Sequence, residues 1–63
     1  MWTVVYVSQT EDKALSLAEL FEANKIISRI HNAGNEENSG CYEVLVPQTE
    51  LNAAQDLIFE NEF

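Results

Sequence analysis

The spacing of apolar residues along this chain switches between two periods, and the switches mark out five elements. Trp2-Thr3-Val4-Val5-Tyr6-Val7 is a β-branched and aromatic run without charge. It predicts a strand that is covered on both faces, or exposed until a partner arrives. Ser8-Gln9-Thr10 reads as a turn in which Thr10 or Ser8 can cap the next helix, and Ser8 with Glu11 also fits a capping box. From Glu11 towards Asn24, Ala14, Leu17, Ala18 and Phe21 recur on one helical face, with Lys13, Glu19 and Glu22 on the other. Asn24 is the expected left-handed stop. Ile26 to His31 predicts a second strand, and Asn32 to Gly40, polar and without apolar period, a hairpin loop. Cys41 to Val46 reads as a third strand, ended by Pro47, which cannot donate to a ladder. Thr49 is expected to cap a second helix from Glu50, with Ala53, Ala54, Leu57 and Ile58 turned inward. The tail from Phe59 to Phe63 has no period. It can be a last helical turn, a short fourth strand, or a flap that folds back over the sheet.

Two stretches share a pattern. Val7-Ser8-Gln9-Thr10-Glu11 and Val46-Pro47-Gln48-Thr49-Glu50 both lead from a β-rich run into a helical one. The order β-α-β-β-α with such a repeat predicts one α+β domain over residues 1–63, a ferredoxin-like split βαβ. Its three-stranded sheet carries two helices on one face, and the first and third strands are expected to lie parallel at the centre. A fourth strand beside the first would complete that arrangement, and without it Trp2 to Val7 is an apolar edge. Period two and the repeat set Thr3, Val5, Val7, Tyr42, Val44 and Val46 towards the helices. Trp2, Val4, Tyr6, Cys41, Glu43 and Leu45 then take the open face. A hairpin symmetric about Glu36 adds Ile27, Arg29 and His31 to that face, with Arg29 opposite Glu43 and His31 opposite Cys41.

WTVVYVSQ at the start, the Ala/Leu helix ending near Asn24-Lys25-Ile26, the polar hairpin and YEVLVPQTELNAAQDLI near the end together resemble a known family. This is the family of short bacterial signal-transducing proteins, a domain of unknown function. The likeness covers nearly the whole chain and is most specific at VLVP followed by an acidic helix. Lysine at position 25 replaces the usual glycine of the helix-to-strand turn. The resemblance implies a βαββα fold and no established activity.

Size and charge narrow the function. A chain of 63 residues buries only about 60% of its unfolded surface, and domains this small usually need a further source of stability. Cys41 is the single cysteine and His31 the single histidine, so neither a disulfide framework nor a zinc cluster can supply it. Self-association is the remaining route, and a homodimer is expected. Eleven acidic residues against Lys13, Lys25 and Arg29 give a formal net charge of −8. That balance opposes nucleic acid and anionic membrane as partners. The unpaired cysteine fits a reducing compartment, and the absence of a charged-then-apolar leader pattern points to the cytoplasm.

Catalytic signals are weak. His31 opposite Cys41 is the nearest approach to a nucleophile–base pair, and the bland alternative is a small apolar residue beside a surface histidine. Glu36 and Glu37 at the hairpin tip read as solvated charge, and the two helix caps as caps rather than anion sites. No catalytic residue, cofactor or metal is expected. The expected function is a small non-enzymatic regulatory or protein-interaction module, homodimeric through the first-strand edge or the open face. Its interface residues would be Trp2, Val4, Tyr6, Ile27, Arg29, Glu43 and Leu45, with a protein partner also possible. The alternative is a small-ligand sensor taking a nucleotide or amino acid at a subunit interface.

Overall fold

The computed structural model describes residues 1–34 and 40–63, so the predicted hairpin tip at Glu36 and Glu37 lies outside the described residues. Strand β1 is Trp2–Ser8, helix α1 Glu11–Ala23, β2 Arg29–Asn32, β3 Tyr42–Pro47 and α2 Leu51–Glu60. The order β-α-β-β-α is the expected one, and the fold is α+β. β2 is shorter than expected: Ile26, Ile27 and Ser28 lead into it outside the ladder.

The sheet order is β1-β3-β2, and β3 is antiparallel to both neighbours. The expectation that the first and third strands run parallel is therefore corrected. The crossover through α1 returns the chain in its first direction, so β1 and β2 are the parallel pair. The hairpin then sends β3 back between them, which is what splits the βαβ unit.

Both helices cover one face. Ala14, Leu17 and Phe21 of α1 and Ala54 of α2 close with Ile26 over Val44 and Val46, all at 5% exposure or less. Phe21, Leu17, Val44 and Val46 are the largest fully buried side chains. At about 1.5–3 kcal/mol for each such burial, the core is small, and one truncation there removes much of the stability.

The helices begin differently. Thr10 caps α1, its Oγ1 accepting from the Lys13 N–H at 3.4 Å. Buried Ser8 braces that turn: its hydroxyl donates to the Thr10 carbonyl at 2.8 Å and accepts from the Thr10 N–H at 3.0 Å. The second copy of the pattern has Pro47 where the first has Ser8, so no hydroxyl is available. There the chain makes a 3₁₀ turn over Gln48–Glu50, and α2 starts at Leu51 with no side-chain cap. Thr49 is thus not the cap of α2, contrary to expectation. The Gln48 N–H instead donates to the Met1 carbonyl at 2.8 Å and ties the end of β3 to the start of β1.

Their ends are alike. In α1 the Ile26 N–H donates to the Phe21 carbonyl at 2.8 Å and the Lys25 N–H to the Glu22 carbonyl at 3.0 Å. In α2 the Phe63 N–H donates to the Ile58 carbonyl at 3.0 Å and the Glu62 N–H to that of Phe59 at 3.3 Å. Each is a Schellman stop, with its left-handed residue at Lys25, φ 63°, or Glu62, φ 59°. The expected left-handed position, Asn24, has φ −104°. Its side chain serves the stop in another way, Nδ2 donating to the Leu20 carbonyl at 2.9 Å, as Asn61 does to Leu57.

Candidate interaction face

β1 is straight in sequence and irregular in space. Thr3 pairs with Val46 and Val4 with Leu45, but Tyr6 pairs with Val44, so Val5 is an extra residue in the ladder. Such a bulge shifts every later side chain to the opposite face. Tyr6 consequently turns towards the helices and packs against the core. Its ring meets Phe63 edge-on, with centroids 6.0 Å apart and planes at 89°, and its hydroxyl donates to the Phe63 carbonyl at 3.4 Å. The placement of Tyr6 on the open face, and of Val7 on the covered one, is corrected. Val7 pairs with Glu43 on the open face and is 56% exposed.

The hairpin register also differs from the symmetric one. Arg29 pairs with Leu45, Ile30 with Val44 and His31 with Glu43. A two-residue slip leaves every side chain on its expected face, because side chains alternate with period two. Ile26 and Ile30 are turned inward as expected, and Arg29 and His31 outward. The polar pair across the strands is therefore His31 with Glu43, Nδ1 to Oε1 3.1 Å, and not Arg29 with Glu43. Arg29 lies instead over the Trp2 ring, its guanidinium carbon 4.2 Å from the ring centroid. Such a cation–π contact contributes about 0.5–1 kcal/mol at an exposed site.

Cys41 does not sit opposite His31. Its carbonyl accepts from the Ala33 N–H at 2.8 Å, which places it two cross-strand pairs beyond His31 and Glu43. The thiol is free and half-buried, and the His31 ring is engaged by Glu43. The arrangement offers no nucleophile held by a base. Among the described residues no group of three or more His, Cys, Asp or Glu side chains could hold a metal ion. No helix among them is long and apolar enough to cross a membrane.

Three cross-strand rows make up the open face: Trp2 with Pro47, Val4 with Leu45 and Arg29, and Val7 with Glu43 and His31. Ile27, expected on this face, is 63% exposed but precedes β2 and lies outside these rows. The tail does not cover this face, since Phe63 is held on the helix side by Tyr6 and Phe59 points to solvent at 86% exposure. Nor does the tail form a strand; it ends α2 as a turn. Five of the seven residues expected at the interface, Trp2, Val4, Arg29, Glu43 and Leu45, thus lie in these rows, and Val7 stands in place of Tyr6.

Beyond the face, two shallow grooves carry apolar walls. One, of about 570 Å³, runs beside α1 between Leu15, Ala18, Ile26 and Ile27, with Glu19, Glu22 and Lys25 at its rim. The other, of about 510 Å³, lies between Val5 and the end of α2 at Ile58, Phe59 and Phe63. Neither groove is legible in the sequence, because each forms only where two elements meet.

No family model matches this chain, and no curated protein or solved structure is found to be similar to it.

Proposed function

We propose that this chain is a small non-enzymatic regulatory or protein-interaction module that works by self-association through the edge of β1 or the open face of the sheet. One observation carries the reading: exposed Val4 and Val7, with half-buried Trp2 and Leu45, form an apolar face over which neither helix nor the tail of the described chain lies. A contiguous exposed patch of this kind marks an interaction surface in a protein that otherwise exposes apolar residues singly. The small core adds a physical reason for association, since covering the face gives the stability that burial within one chain does not reach. The acidic charge argues against a polyphosphate partner, and the unpaired cysteine favours the cytoplasm. Sedimentation equilibrium from micromolar to millimolar concentration tests the reading. A concentration-dependent dimer is expected, and a monomer throughout that range overturns it.

A second reading, a small-ligand sensor, is favoured by the groove beside α1, where the Lys25 cation borders an apolar wall. A thermal-shift screen of nucleotides and amino acids separates the two. A ligand present at a hundred times its Kd stabilises the folded state by about 2.7 kcal/mol, a rise of well over 5 °C at this size. No shift with any compound removes the sensor.

A further inference from the structure

Two surfaces could carry self-association, and two features of the molecule separate them. The first is the bulge. The extra residue at Val5 bends β1 and breaks its regular ladder, and an irregular edge is a poor template for a further strand. The second is where the charge lies. Residues 11–25 and 48–62, the helices with their flanks, contain eight of the eleven acids against Lys13 and Lys25, a net of −6. Glu36 and Glu37 supply the remaining −2 from outside the described residues. The open face carries Arg29 and Glu43 and is neutral while His31 is uncharged. Two copies that approach by their helices repel each other, whereas two that approach by their sheets do not.

The charges on the face are also laid along it rather than out from it. Arg29 lies over Trp2 at 4.2 Å, and Glu43 reaches sideways to His31 at 3.1 Å. Each face offers one cation and one anion on neighbouring strands. That is the arrangement a two-fold axis needs, because residue i then meets residue j of the partner and j meets i.

We propose that a second copy of this chain covers the open face, sheet against sheet about a two-fold axis, with Arg29 of each copy set against Glu43 of the other. This rests on the self-association reading and names its surface. The molecule is a slab of 34 × 25 × 16 Å, and a two-layer stack puts the sheet on a broad side. A standard interface of about 800 Å² per partner would take roughly a sixth of the 4522 Å² surface.

The test is a charge exchange read by sedimentation equilibrium at physiological salt, with circular dichroism to confirm folding. Arg29→Glu makes each face doubly negative, and Glu43→Arg makes it doubly positive. Each variant alone should associate at least tenfold more weakly than wild type, and an equimolar mixture should recover the wild-type affinity. Val4→Lys, which adds a charge at a position 41% exposed on the same face, should weaken association as much and serves if an exchange variant does not fold. Phe59→Glu, beside the β1 edge, should leave it unchanged. A wild-type dimer that ignores the exchange, a mixture that stays monomeric, or a dimer lost only in Phe59→Glu overturns the face and leaves self-association standing. A monomeric wild type removes both.

Discussion

Replacing the left-handed residue of each helix stop by glycine should stabilise the protein, and by different amounts at the two stops. Lys25 and Glu62 have φ of 63° and 59°, a conformation that costs a residue with a Cβ about 1–2 kcal/mol and glycine almost nothing. Glycine loses more chain entropy on folding, about 0.5–1 kcal/mol, so relief of strain alone leaves a gain near half a kcal/mol. Charge then divides the two sites. Lys25 is a cation at the C-terminal end of α1, where the helix dipole favours it, and losing it takes back a few tenths of a kcal/mol. Glu62 is an anion in the equivalent place after α2, where the dipole disfavours it, so removing it adds to the gain. Glu62→Gly should therefore raise stability by about 1 kcal/mol, or about 4–8 °C in Tm for a domain of this size. Lys25→Gly should raise it by only about 0.2 kcal/mol. Urea titrations followed by circular dichroism, with thermal melts beside them, measure both. Lys25→Ala is the control: it keeps the strain, loses the cation and should fall slightly below wild type. If Lys25→Gly falls below Lys25→Ala, strain at the stop is not what limits stability there. If it gains more than Glu62→Gly, the assignment of the dipole's sign to these two ends is wrong.

The bulge predicts opposite fates for neighbouring residues. Tyr6→Lys, which sends a charge among residues packed on the core, should unfold the chain, whereas Val7→Lys should still fold, losing association through the open face but changing the stability of the monomer by no more than about 0.5 kcal/mol; circular dichroism in increasing urea, at concentrations too low for association, decides, and the reverse outcome would mean a regular β1. Trp2 is the single tryptophan, so its emission reports the guanidinium stacked on it. Arg29→Ala should shift that emission and cost about 0.5–1 kcal/mol, and an unchanged spectrum would show that the stack is not held in solution. Cys41→Ser should leave both stability and association as they are, which size-exclusion under reducing conditions would check. A marked loss of dimer would return the thiol to consideration.

Most of the fold was legible because the helices declare themselves by period. Ala14, Leu17 and Phe21 have only one way to share a face, and the structure buries all three completely. The inward face of β3 was legible for the same reason, Val44 and Val46 alternating with half-buried neighbours. The candidate face was read correctly on β2 and β3 but not beyond the middle of β1. The run Trp2 to Val7 is apolar at nearly every position, so nothing in it shows where the phase changes at Val5. The hairpin slipped by two for a similar reason. A symmetric turn about Glu36 was the simplest choice, and a two-residue shift changes no side chain's face, so the pattern could not correct it. The strand directions needed no pattern at all, only the handed crossover followed by a hairpin.

The repeated Val-x-Gln-Thr-Glu turn suggested two equivalent helix starts, and equivalence is found at the helix ends instead. Asn24-Lys25-Ile26 and Asn61-Glu62-Phe63 make the same hydrogen bonds, and in each the apolar third residue is folded back beneath its own helix. For Ile26 the result is ordinary core packing, with Phe21 beside it in the same cluster. For Phe63 it has a partner on another element, because the stop delivers the ring to the place where the bulge has turned Tyr6 inward. The two irregular features thus answer each other. Without the bulge Tyr6 would lie on the open face, and Phe63 would be left under α2 with no aromatic edge to meet. Without the stop, Tyr6 would face the end of the core half-covered, its hydroxyl without the Phe63 carbonyl as acceptor. Together they close the helix side of the molecule and leave aliphatic Val7, not a tyrosine, on the other. That exchange is what makes the open face a flat surface of valine, leucine and a guanidinium-covered indole, the kind of surface a second sheet can lie against.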